Sequence, residues 1–347
     1  MQNLKYSVGI DVSKDSLHCC LSVIDEEQCV SVKASHLFAN TQKGFIALLS
    51  WAIKNKKEDL PLVFVMEATG IYHEQLAWYL FKAKQTVSVV LATTAKRYLQ
   101  GNGSKSKNDI IDSRGLSRMG AEKKLVVWEP LSEEIYILRA YTRQHQSLNE
   151  LHTSINNQLH SVKHSQNPSK IVIKQLQASC RLIKKQIKEL ETVIKNLINN
   201  DVKLNRKREC ICSIKGISDL TFAVIIAETN GFALFANIAQ VISYAGLDVI
   251  DNQSGKHIGR TRISKKGNPR IRRILHMPSL VATRSDQPQF WNLYNRVYER
   301  TRIKMKGYVA VQKKLLQMIY CLWNTEKVYE SNYQKLDVEP KVIIKMA

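Results

Sequence analysis

Near the N-terminus the apolar residues come in three short runs, Tyr6–Val12, Leu17–Ile24 and Cys29–Ala34, each separated from the next by a polar turn. Val, Ile and Cys dominate them, and runs of this length predict three successive antiparallel strands. The period then lengthens: Thr41 is placed to cap a helix carrying Phe45, Leu48, Leu49 and Ile53 at helical spacing. A buried strand at Leu62–Met66, a helix at Tyr72–Ala83, a second buried strand at Thr86–Leu91, a short helix at Ala95–Leu99 and a helix from Asp109 to about Met119 follow. Three meandering strands and then strand-helix-strand-helix is the element order of an α/β ribonuclease-H-like fold.

Between Leu131 and Asn200 the pattern is helical throughout. Ile135, Leu138, Tyr141, His145, Leu148, Leu151, Ile155 and Leu159 recur at intervals of three and four, and so do Ile173, Leu176, Cys180, Ile183, Ile187, Leu190, Ile194 and Leu197. Two long helices joined near Asn167-Pro168 are predicted, a helical hairpin or coiled-coil arm. Such an arm can join subunits or fold back on its own chain, and both readings stand. From Arg208 to Tyr333 the chain reads as mostly helical, with Ile214-Lys215-Gly216-Ile217 before the apolar Leu220–Ala227. That segment suits a helix-hairpin-helix whose turn glycine lets backbone amides approach a phosphate; it suits an ordinary corner of a core equally well. The divisions fall at 1–128, 129–206 and 207–347.

Charge changes the picture more than composition does. A chain of 347 residues with 44% hydrophobic content has room for two or three ordinary domains, but its formal net charge is +22. An excess of that size calls for a polyanionic partner, because each phosphate neutralised by Lys or Arg releases counterions. The stretch from Asn252 to Ser285 concentrates it, with nine basic residues (Lys256, Arg260, Arg262, Lys265, Lys266, Arg270, Arg272, Arg273 and Arg284) and no acid. A solvated face would carry interspersed carboxylates, so a phosphate-binding surface is expected there. The competing membrane-surface reading lacks a basic amphipathic helix with a lipid anchor. The odd set of seven cysteines falls mostly in apolar runs, Cys210-Ile211-Cys212 has the wrong spacing for zinc, no apolar run reaches membrane-spanning length, and no leader peptide is expected. A reduced, cytosolic setting with no membrane is expected.

The acids carry the chemistry. Asp11 ends the first strand, Glu67 ends the fourth, and Asp109 and Asp112 lie three apart on one face of a helix. Four carboxylates brought together raise one another's pKa unless a cation neutralises them. Two Mg²⁺ ions roughly 3.5–4 Å apart would do that while polarising a scissile phosphate. Taken singly, Asp11 reads as a strand-end acid and Asp109 as a helix cap. Ser254 stands apart, in the turn-rich Asp251-Asn252-Gln253-Ser254-Gly255-Lys256 ahead of the basic stretch. A serine attacks phosphorus only if activated and surrounded by cations, and a Ser-Gly in a turn is ordinarily structural.

Val8-Gly9-Ile10-Asp11-Val12-Ser13-Lys14, Glu67-Ala68-Thr69-Gly70-Ile71-Tyr72, Lys107-Asn108-Asp109-Ile110-Ile111-Asp112, Tyr244-Ala245-Gly246-Leu247, Ser254-Gly255 and Ser264-Lys265-Lys266-Gly267-Asn268 with Arg272 occur in that order. Together they resemble the DEDD-type transposases of the insertion-sequence "one-ten" family, related to the Piv invertases, over nearly the whole chain. The resemblance implies a RuvC-like N-terminal domain, a coiled coil and a C-terminal transposase domain. It further implies Mg²⁺ on Asp11, Glu67, Asp109 and Asp112, and a covalent serine–DNA link at Ser254. The implied partners are donor and target DNA duplexes, a structured guide (bridge) RNA and further copies of the chain in a dimer or tetramer, acting at the nucleoid of a bacterial cytoplasm. One departure is visible: Asp248-Val249 follows Gly246-Leu247 where the family often has proline. Lys105, Lys107, Lys256, Arg260, Arg262, Lys265, Lys266, Arg270, Arg272 and Arg273 are the expected nucleic-acid contacts. The rival functions are a RuvC-like metal-dependent nuclease, in which water attacks and Ser254 is structural, and a non-catalytic nucleic-acid-binding protein.

Overall fold

The computed structural model describes residues 2–68, 70–101, 108–130, 132–233, 235–250, 253–254, 257–259, 262–284 and 287–330. The chain forms two compact units, Met1–Pro130 and Leu131–Ala347.

The first unit is a five-stranded sheet with helices on both faces. Its strands β1 (Asn3–Val12), β2 (Ser16–Asp25) and β3 (Val30–Ala39) form an antiparallel meander, and β4 (Leu62–Glu67) and β5 (Thr86–Val90) add parallel to β1, giving the order β3-β2-β1-β4-β5. Parallel pairing needs crossovers, which α1 (Gln42–Asn55) and α2 (Glu74–Lys82) supply. Thr41 caps α1 by accepting from the Gly44 amide, as its position predicts. The order is that of the ribonuclease-H-like fold. β3 runs five residues beyond its predicted end, because the polar Ser35 and His36 sit on a largely exposed strand where ladder hydrogen bonds, not burial, set the length.

Strand parity sorts the side chains onto two faces. Tyr6, Val8 and Ile10 of β1, Leu17, Cys19 and Leu21 of β2, and Phe64 and Met66 of β4 pack with Phe45, Leu48, Ala52, Leu76, Ala77 and Leu80 in one core. The alternate positions meet α4 (Asp109–Glu122) and α3 (Ala92–Gly101), where Val65, Val90, Ala95, Leu116 and Met119 form a smaller core. Small residues on this second face let α4 come very close. A Cβ on Gly9 would stand 2.1 Å from the Ser113 carbonyl oxygen and 2.1 Å from the Ser117 amide nitrogen. One on Gly120 would stand 2.2 Å from Ser7 Oγ, and the Ser22 and Ser117 hydroxyls are bonded at 2.7 Å.

The second unit is mostly helical. α5 (Glu133–Lys163) and α6 (Lys170–Asn200) fold back on one another through a short connection, and Leu138, Ile194 and Ile198 join the core built on α8 (Asp219–Thr229). The seam departs from expectation at one place: Leu151 is 48% exposed, and the half-buried His152 takes the inward position between Leu148 and Ile155. Leu148 to His152 spans four residues, so Leu151 lies off the packed stripe. α7 (Val202–Cys212), the turn around Gly216 and α8 make the expected helix-turn-helix. Gly216 has φ +101° and a Cβ there would lie 3.1 Å from Val281, so packing against α11 (His276–Ala282) accounts for this glycine. The unit is completed by α9 (Ile238–Ala245), α10 (Pro269–Ile274), α12 (Pro288–Thr301) and α13 (Lys304–Thr325). No helix among the described residues is long and apolar enough to cross a membrane.

Candidate active site

Asp11 has the parity of Ser7 and Gly9, so it lies on the α4 face of the sheet. Glu67 has the parity of Val63 and Val65 and shares that face. Ile10 pairs with Met66 across the parallel ladder, which puts the two acids side by side at adjacent strand ends. α4 covers Gly9 with Ser113 and Ser117, and Ser7 with Gly120, so it runs antiparallel to β1. Its first turn therefore lies at the Asp11 end and brings Asp109 and Asp112 there. Asn108, not Asp109, is the cap, accepting from the Ile111 amide at 2.8 Å. Both aspartates thus lie in the first turn, at the end of the helix that favours negative charge.

The convergence is felt electrostatically. Burial, then Asp109, Asp112 and Glu67, raise the Asp11 carboxyl to about 6, against a partial opposing effect of His18. Carboxylates that repel one another in this way are the hard oxygen donors that suit Mg²⁺. Among the described residues no three acidic, histidine or cysteine side chains already stand together as a ligand set. His18 is a site residue that the sequence reading missed. It is the cross-strand partner of Asp11, and its Nδ1 lies 3.5 Å from Asp109 Oδ2. The signal was the tight turn at Ser13–Asp15, which sets residues 11 and 18 opposite each other once the hairpin closes.

Ser254 and the basic stretch belong to the second unit. β6 (Val249–Ile250) pairs with β9 (Arg262–Ile263), and inside that pair β7 (Gln253–Ser254) pairs with β8 (His257–Ile258). Ser254 therefore ends a strand, opposite His257, where a turn was expected. Lys105, Lys107, Lys256 and Arg260 lie outside the described residues. Arg262, Lys265 and Lys266 are exposed.

The remaining basic residues have protein partners. Arg272 donates to the Ala245 carbonyl at 2.8 Å, Arg273 is ion-paired to Glu150, and Arg270 Nε lies 3.8 Å from Glu228. The motifs around them interlock: the Asn268 amide donates to the Tyr244 carbonyl at 2.7 Å, the Lys265 amide to Gly246 at 3.1 Å, and Ser264 Oγ to Asp248 at 2.5 Å. Asp248 thus anchors the turn that begins the basic loop. Glu228 is wholly buried beneath it, and hydrogen bonds from Arg143 and Asn268 hold its carboxyl below the usual range against the desolvation that would raise it.

Against known proteins, residues 208–295 match the family model described as Transposase IS116/IS110/IS902 family, and residues 8–168 match a transposase model of the IS110 DEDD type. The chain is 26% identical over 328 residues to the pilin gene-inverting proteins of Moraxella lacunata and Moraxella bovis, covering 94% of this chain and 98% of each of theirs. Among solved structures, Thermus thermophilus RuvC is similar to 35% of this chain over 99% of its own, with 9% identity and a TM-score of 0.28.

Proposed function

The chain belongs to the IS110 family of transposases and is related to the pilin gene-inverting proteins, and from that premise we propose that it exchanges strands between donor and target DNA through a covalent serine–DNA intermediate, guided by a structured bridge RNA. The observation that carries this reading is the gathering of Glu67, Asp109 and Asp112 about Asp11, whose carboxyl is raised to about 6 by burial first and then by these three acids. These four acids would hold Mg²⁺, with side-chain rotation closing the ligand set. Bound there, the metal would polarise the scissile phosphate.

Ser254 Oγ then forms the bond to phosphorus as its proton leaves, and the P–O bond to the sugar breaks, its oxygen taking up a proton. The phosphodiester energy stays in the serine ester, and attack by a sugar hydroxyl of the second duplex restores the serine. Two duplexes need more than one centre, so a homodimer or tetramer is the working form, in the cytoplasm at the nucleoid. The net charge of +22 suits partners that are all polyanions.

A denaturing gel tests the reading. Wild-type protein with Mg²⁺, guide RNA and both duplexes should give a protein–DNA adduct that survives denaturant. Ser254→Ala should bind RNA and DNA yet give neither adduct nor recombinant. Asp11→Ala and Glu67→Ala should give neither while keeping the fold, and Ser264→Ala should still form the adduct. Recombination by Ser254→Ala at the wild-type rate would replace this reading with the water-attacking nuclease.

A further inference from the structure

The buried carboxylate of Glu228 gathers more cations than it needs. Arg143 of α5 grips it with Nε to Oε1 at 2.8 Å and Nη2 to Oε2 at 3.1 Å, and Asn268 Nδ2 donates to Oε2 at 2.7 Å. That set already neutralises the acid and satisfies both oxygens. Two further guanidiniums nevertheless converge: Arg139 Nε lies 3.9 Å from Oε2 and Arg270 Nε 3.8 Å from Oε1. Both nitrogens are buried and neither makes a hydrogen bond among the described residues. Three fixed cations thus share one anion.

The cluster is half open. Glu228 has no side-chain exposure, while Arg139, Arg143 and Arg270 keep 30%, 38% and 36% of theirs. The carboxylate therefore works from beneath, holding against their mutual repulsion three forks whose outer edges meet solvent. Arg139 and Arg143 are one turn apart on α5, and Arg270 comes from α10, so two elements present them to one point. Planar guanidiniums held in place lose little freedom on binding and match the oxygen spacing of a phosphate. The nearest further acid on that face of α5, Glu150, is taken by Arg273 and Gln146.

We propose that Arg139, Arg143 and Arg270, oriented by Glu228, form a binding site for a backbone phosphate of a nucleic-acid strand. This rests on the nucleic-acid reading above and extends it to two arginines of the helical hairpin that lie far in sequence from the basic stretch. The phosphodiester could belong to DNA or to RNA, and the two arms of the test separate them.

The test compares full-length protein with the double variant Arg139→Gln/Arg270→Gln. Neither arginine hydrogen-bonds Glu228 through Nε, and Arg143 and Asn268 remain to satisfy it, so the thermal midpoint should stay near wild type. Binding of a labelled DNA duplex and of a labelled RNA hairpin is followed by anisotropy over a salt series. In the arm that supplies the phosphate, the log–log salt slope should fall by about one and affinity at moderate salt by roughly tenfold. A charge-matched control, Lys195→Gln/Lys203→Gln, should change the slope less. An unchanged slope in both arms, or an equal change in the control, overturns the proposal. If the double variant does not fold, Arg139→Gln alone carries the same comparison. Salt-independent binding by the wild type would instead overturn the nucleic-acid reading itself.

Discussion

An aspartate that holds its proton to about pH 6 is a cost to the metal-free fold. In the unfolded chain the same group titrates near 3.9. Between roughly pH 4 and 6 the native state therefore binds more protons than the unfolded one, and stability falls as pH rises through that window. Asp11→Asn removes the charge without much change of shape. It should melt higher than wild type at pH 7.5 without metal, and the gap should close on acidification toward pH 4. Adding Mg²⁺ should raise the midpoint of the wild type and leave the variant nearly unmoved. A variant that melts lower than wild type at pH 7.5 would sink the argument that the acids repel one another.

The acids stand where they do because one helix lies almost on top of one strand. Gly9 is the contact that permits it, since a Cβ would stand 2.1 Å from two backbone atoms of α4. Backbone cannot turn aside as a side chain can, so Gly9→Ala must push the helix away and carry Asp109 and Asp112 with it. The expected cost is about 1–3 kcal/mol by overpacking, read as a lowered denaturant midpoint, together with loss of Mg²⁺-induced stabilisation. A normal midpoint and normal metal response would show that α4 is not held by this contact. The same dependence on closeness explains Ser7 and Ser22, buried beneath α4, and Ser117, buried on the face of α4 that meets them.

For the whole molecule, the long hairpin leaves apolar side chains in water: Ile171 is 71% exposed and Leu182 58%. Singly these mean little, but together on α6, a helix of 31 residues, they suit contact with another copy. At least a dimer is expected by light scattering, free or with nucleic acid. Leu182→Glu with Ile171→Glu should shift the mass toward monomer and lower recombination while each chain stays folded. A wild-type monomer under both conditions would remove the oligomer from the proposed function.

The strands and the helical hairpin were legible in the sequence because each depends on a local period, two for a strand and three or four for a helix, that the chain carries whatever it later packs against; the four acids could be placed only as the residues at the ends of those elements. The six motifs were legible as a family resemblance, since residue order survives without coordinates. Other features depended on contacts that no period encodes. His18 joins the acids only when the hairpin closes. His152 replaces Leu151 in the seam because helix phase, not hydrophobicity, selects the inward face. Glu228 gathers Arg139 and Arg143 from about 85 residues away, and it holds its charge because burial strips away water while the arginines replace it. Only the packed chain sets that balance of desolvation against ion pairing at Glu228, and only it adds burial to like-charge repulsion at Asp11.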